Sequence, residues 1–328
     1  MRHSLPHSLP HSLPPTATTR SAPGIATLVA VLTAGLGALG AAPASAGVQI
    51  VATVPDLAAL AREIGGDKVS VTSLSLPTQD PHFVDAKPSL MIKLNKADVL
   101  LAVGLGLEVG WLPALQTGAR NAKVLTGGAG FLDCSQHIKP IEVPAASADR
   151  SMGDIHPGGN PHYLFDPRQA ASCAKAIAAK LGAVDRANAA TYDANLRRFL
   201  EQLDRERAVW EKRMAPFKGS PVITFHRSWS YMLDWLGLRS VAELEPKPGI
   251  PPTPSHVASV LSTGRASGAR CVIQEAYYPD KTGQLVAKKL GGQLVAIPAG
   301  ADVESGETYI KHMDRVIDAI AAALGPAK

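Results

Sequence analysis

From residue 48 to the C-terminus, short apolar runs alternate with helical patterns, and a single unbroken helical stretch interrupts them. Val48–Val54, Val69–Leu76, Val99–Val103 and Ala122–Thr126 read as strands. Helices are expected near 56–65, 87–96 and 108–118. After the interruption Pro221–Phe225 restarts the pattern, with strands near 238–243, 270–274 and 293–297 and helices near 228–236, 254–265, 280–290 and 304–324. Strands separated by helices predict an α/β fold, with parallel sheets covered on both faces. Residues 127–165 are rich in Gly, Pro, Ser and Asp and lack periodicity, so they read as a long loop. Asp166-Pro167 is a helix start, a capping side chain followed by Pro, and this helix runs to about Leu181.

The interruption runs from about Asp185 to Met214 without Gly or Pro. Tyr192, Leu196, Phe199, Leu203 and Trp210 form an apolar stripe along it, and at 1.5 Å per residue it would span roughly 45 Å. The expected organisation is an N-terminal lobe over 47–184, a connecting helix over 185–216 and a C-terminal lobe over 217–328. Such a connector would restrict lobe closure.

Residues 1–46 read as a secretory signal. Arg2 and Arg20 are unopposed by acids, the stretch from Ile25 to about Ala42 is apolar, and Ala44-Ser45-Ala46 offers a cleavage site before Gly47. Gly35, Gly37 and Gly40 break the apolar run, which argues against an uncleaved anchor, and no Cys near the cut suggests a lipid-anchored form. His-Ser-Leu-Pro occurs three times over residues 3–14, but the prolines prevent a helix from aligning those histidines. The mature protein is therefore expected in a periplasm. A net charge of +5 spread along the chain and only 5% aromatic residues disfavour a nucleic-acid reader.

The chemistry lies in histidines. The mature chain has His82, His137, His156, His162, His226, His256 and His312. His82 follows a strand in Asp80-Pro81-His82, His162 ends the long loop in Asn160-Pro161-His162, and His226 directly follows the first strand of the second lobe. Ligands of open α/β sheets gather beyond the carboxyl ends of strands. His82 and His162 should thus face His226 across the gap between lobes. Three imidazoles suit Zn²⁺ and leave a fourth position for a carboxylate or water. Singly, each would read as a surface or satisfied core histidine; their matched contexts favour the site. His256 and His312, in helices, read as structural.

The chain resembles the periplasmic metal-binding solute-binding proteins of zinc and manganese ABC transporters, in particular the zinc type of cluster A-I. The resemblance spans residues 47–328 and rests on Val51-Ala52-Thr53-Val54-Pro55-Asp56-Leu57, Asp80-Pro81-His82, Asn160-Pro161-His162-Tyr163-Leu164-Phe165-Asp166-Pro167 and Phe225-His226. It implies two Rossmann-like lobes joined by a long rigid helix, a monomer, one metal between the lobes, and delivery to an inner-membrane ABC permease. A periplasmic metallochaperone would be a candidate loading partner. It carries ligand positions onto His82, His162 and His226.

Manganese members tend to place a carboxylate at the third position, where this chain has His226, so Zn²⁺ is the expected cargo and Mn²⁺ or iron the alternative. Glu275, at the end of Cys271–Gln274, is the best-placed fourth ligand, with Asp302, water or a loop residue as alternatives. Zinc members often carry a His- and acid-rich capture loop; here Asp133, His137, Asp149, Asp154 and His156 make a sparse one, so His156 reads equally as a capture residue or as part of a solvated loop. Glu245–Pro252, rich in Pro, would shape the mouth of the site, dock against the permease or serve as a stiff connector. A zinc hydrolase is the rival function, with Glu275 as its base, but HExxH and GxSxG are absent from the sequence. No enzymatic activity is expected. Cys134 and Cys173 both fall in the first lobe and could pair, leaving Cys271 in a strand.

Overall fold

The computed structural model describes residues 47–145 and 155–325. The expected signal segment 1–46 lies outside the described residues, as do Asp149 and Asp154 of the long loop.

The first lobe contains β1 (Val48–Ala52), α1 (Pro55–Gly65), β2 (Val69–Ser73), α2 (Pro88–Lys96), β3 (Val99–Ala102), α3 (Leu112–Ala119), β4 (Phe131–Asp133) and α4 (Pro167–Val184). Its strands are all parallel in the order β2-β1-β3-β4. After α5 (Ala189–Met214) come β5 (Pro221–Thr224), α6 (Ser230–Leu236), β6 (Arg239–Glu243), α7 (Pro254–Ser267), β7 (Cys271–Glu275), α8 (Asp280–Lys289), β8 (Gln293–Ile297) and α9 (Tyr309–Leu324). This sheet is also parallel, in the order β6-β5-β7-β8. Every residue of β3 and β7 is buried, as a sheet covered on both faces requires. In each lobe the chain leaves the first strand to one side and returns to the other, which opens a crevice at that strand's carboxyl end.

The alternation is as expected, with one strand displaced. Residues 122–126 hold a short 3-10 turn, because the Asn121 side chain accepts from Lys123 N at 3.1 Å and caps it. The fourth strand is instead Phe131–Asp133, inside the expected loop. Its pairing with β3 begins at Gly130, whose carbonyl accepts from Leu100 N at 2.9 Å. A Cβ at Gly130 would lie 2.0 Å from the Asp98 carbonyl oxygen, so only glycine permits the approach.

Helix α5 has 26 residues, roughly 39 Å at 1.5 Å per residue. Tyr192, Phe199, Leu203 and Trp210 are buried along one stripe, as expected. The helix packs on α1 and α4 of the first lobe and on α9 of the second. Asn195 Nδ2 donates to Ile64 O at 2.8 Å, and Trp210 Nε1 to Asp314 Oδ1 at 2.6 Å. One apolar core runs from α1 and α4 through α5 into α6 and α9. Phe165 stacks on Trp229 with ring centres 4.5 Å apart, and Tyr309 Oη donates to Leu164 O at 2.7 Å. Asp56 Oδ1 accepts from Ala301 N at 2.8 Å, and Arg62 reaches Val303 O. The lobes therefore share packing as well as a connector.

Cys134 and Cys173 are both buried in the first lobe as free thiols in this structure, and Cys271 is a buried free thiol in β7.

Candidate metal centre

Each of the three expected histidines is held by its own local device. The Asp80 carboxylate accepts from His82 N at 2.9 Å and bonds His82 Nδ1 at 2.7 Å, so one side chain fixes both backbone and ring. Trp111 Nε1 donates to Pro81 O at 2.9 Å and anchors this turn to the lobe. Asn160 Oδ1 accepts from His162 N at 2.9 Å, while Asn160 Nδ2 donates across the seam to Arg227 O at 2.8 Å. His226 leaves β5 in extended conformation, and its Nδ1 bonds Glu245 Oε2 at 2.7 Å.

The rings converge. Ring centres are 5.1 Å apart for His82 and His162, 5.4 Å for His82 and His226, and 5.3 Å for His162 and His226. The three rings stand beside one another. His156 joins them: its Nε2 lies 3.3 Å from His82 Nε2. The donor atoms within 4.8 Å of one another belong to His82, His156 and His162, all of the first lobe, and His226 is not in that group. Two nitrogens bound to one tetrahedral zinc at about 2.0–2.1 Å would be about 3.3–3.4 Å apart. His156 stands in an aperiodic loop, where only distance shows its approach to His82 and His162.

The electrostatics follow from this packing. Carboxylates on Nδ1 of His82 and His226 hold the proton there and leave the Nε2 lone pairs toward the gap. Burial would lower the pKa of His226, but the hydrogen bond and charge of Glu245 outweigh it and raise it. Burial pushes that of His162 well below the usual imidazole range, and the neighbouring His82, His226 and His156 push it further. His162 Nε2 is buried without a hydrogen-bond partner among the described residues. A neutral ring with an unused lone pair is the form that binds a metal.

Glu275 ends β7 and is 1% exposed, with the Ser228 hydroxyl as its near neighbour. Burial raises its pKa, and a hydrogen bond from Ser228 and the charge of nearby His226 oppose the rise. Asp302 is exposed, caps the turn at Val303–Ser305 by accepting from Ser305 N at 3.3 Å, and stands outside the histidine cluster. His137 is exposed and outside the cluster. His256 bonds Glu243 O at 2.9 Å, and His312 is buried in α9 beside Arg315. The Pro-rich segment shapes the mouth: Pro248 lines one cleft with His156, His162 and His226, and Pro251 and Pro252 line another with His82, Phe83 and Tyr278.

A family model described as the zinc-uptake complex component A, periplasmic (ZnuA), matches residues 50–323. The chain belongs to the ZnuA family. It is accordingly a periplasmic-type metal-binding substrate-binding protein of ABC transporters, a transport component and not an enzyme. The iron-binding protein YfeA of Yersinia pestis is 25% identical over 290 residues, covering 84% of this chain and 86% of that protein. The manganese ABC transporter substrate-binding lipoprotein PsaA of Streptococcus anginosus is 24% identical over 286 residues, covering 84% and 89%. The high-affinity zinc uptake system protein ZnuA of Brucella abortus is 26% identical over 155 residues, covering 47% and 46%. A crystal structure of ZnuA superposes with a TM-score of 0.72 at 24% identity, over 85% of this chain and 100% of that one. The Mn-bound periplasmic metal-binding protein of Candidatus Liberibacter asiaticus (S38A mutant) gives 0.69 at 20% identity, over 84% and 99%. At these identities the structural likeness speaks for the fold alone.

Proposed function

We propose that the mature chain, beginning at Gly47 after removal of the signal, captures Zn²⁺ in the periplasm and delivers it to an inner-membrane ABC permease. His82, His162 and His226 supply three nitrogens from both lobes. The observation that carries the zinc reading is the approach of His156 to this set, with 3.3 Å between its Nε2 and that of His82. Four imidazoles make a nitrogen site that favours Zn²⁺ over Mn²⁺.

A second reading has its own observation. Glu275 lies buried at the end of β7 and is close enough to act on the charge of His226. If Glu275 supplies the fourth donor, the site gains oxygen character and tolerance for Mn²⁺ or Fe²⁺. The sequence comparisons span zinc, manganese and iron proteins, so the cargo is decided by the donors.

Competition titration of metal-stripped protein tests this. Zinc should outcompete manganese by at least about 100-fold, the nitrogen donors and the metal affinity order both acting in its favour. His82→Ala, His162→Ala and His226→Ala should each weaken zinc binding by more than the roughly 10–100-fold of an outer-shell change. His256→Ala should leave it unaltered. His156→Ala should narrow the zinc preference and Glu275→Gln should not; the reverse pattern supports the oxygen-containing site. Equal zinc affinity across the four alanine variants at positions 82, 162, 226 and 256 would overturn the ligand assignment.

A further inference from the structure

Cys134 and Cys173 are unused by the metal centre, yet they stand together in the first-lobe core. Cys134 opens the 3-10 turn Cys134–His137, which the Asp133 side chain caps by accepting from Ser135 N at 3.0 Å. That turn packs on α4, where Cys173 shares the inward face with Ala170, Ala174 and Ile177. Both cysteines are 0% exposed, and Cys173 is near enough to Cys134 to raise its pKa, with burial adding to the rise. The chain between them, residues 135–172, carries His137, His156 and His162. Cys271 lies in β7 of the other lobe.

We propose that Cys134 and Cys173 are the reduced form of a structural disulfide, closed as the chain folds in an oxidising compartment, that staples the two ends of the histidine-bearing segment. One thiolate attacks a disulfide oxidant and expels a thiolate. The second cysteine then attacks the resulting mixed disulfide. Two electrons pass to the oxidant, which leaves as two thiols, and the cysteine protons end in solvent. Closure belongs to folding, because the finished core hides both sulfurs from any oxidant. The same burial then shields the bond from reductants. From the functional reading this takes only the oxidising compartment.

The mature chain should be denatured, reduced, and refolded with oxidised glutathione or with reductant present throughout. After denaturing again, thiol counting should find one reactive thiol in the first sample and three in the second. Mass spectrometry should find the peptides of Cys134 and Cys173 joined. The oxidised protein should melt roughly 5–10 °C higher, the scale for closing a loop of this length in a chain of this size. Cys134→Ser/Cys173→Ser protein should show one thiol and the same melting temperature in both conditions. Three thiols after oxidative refolding, or equal melting temperatures for oxidised and reduced wild type, overturns the proposal. Zinc titration of the same samples reads the functional proposal separately, since neither cysteine is one of its ligands.

Discussion

At the scale of single residues, the candidate centre depends on partners that hold its histidines. Glu245 fixes His226 as Asp80 fixes His82, each at 2.7 Å. Glu245→Ala frees the His226 ring and removes a buried acceptor, so zinc affinity should fall about 10–100-fold. Glu245→Gln keeps an acceptor for Nδ1–H and should recover most of that loss. Calorimetric titration of the two variants checks this; equal losses would show that charge, not orientation, is what Glu245 contributes. His82, His162 and His226 were legible in the sequence because each follows a strand or ends a loop at a helix. Glu245 was not, because its tie to His226 crosses from one strand end to another and leaves no local pattern. His156 was half legible: its residue type was noted, but its position among the other rings depends on how a long loop folds back.

At the scale of elements, periodicity located the helices and all but one strand. The Tyr192–Trp210 stripe gave α5 because buried positions on a helix recur at fixed spacing. β4 escaped because three residues are too few for an alternation and its flanking glycines read as loop. Of those glycines, Gly130 serves close strand approach. Gly130→Ala would drive a Cβ to 2.0 Å from the Asp98 carbonyl, and neither backbone can yield without loosening the β3–β4 pair. The expected destabilisation is about 1–3 kcal/mol, read as a lower urea midpoint. Gly127→Ala is a weaker perturbation for space, since nothing lies near its added Cβ, although its positive φ of 82° carries some strain.

At the scale of the whole molecule, the seam holds two buried titratable groups of opposite sense. Burial raises the pKa of Asp56 to about 7, Ala301 N and the charge of Arg315 opposing the rise and Glu307 adding to it. Burial lowers that of His312 to about 3, with Arg315 adding to the effect. Between pH 7 and about 4 the folded state binds a proton at Asp56 that the unfolded chain does not, so this group adds stability as pH falls. Between about 6.5 and 3 the unfolded chain binds a proton on His312 that the folded state refuses, so that group removes stability as pH falls. Each effect is of order 4–5 kcal/mol at its limit, and over much of the range they oppose each other. Melting curves from pH 8 to 4 should therefore fall more steeply with acid for Asp56→Asn, and less steeply for His312→Leu, than for wild type. Identical slopes would show that neither group titrates as its burial demands.

The 26-residue helix that both halves grip has a consequence for traffic through the protein. A receptor hinged like a clamshell can set its cargo free by gaping, and its dwell time is the time it spends ajar. Here a brace runs along the back and the halves share one interior, so wide gaping would have to break that interior. Unloading would instead begin at the front edge, where the proline segment and His156 border the histidine cluster. The docking partner's task becomes loosening a few rim contacts, and how tightly that rim is laced, more than the affinity of the site itself, sets the pace of handover.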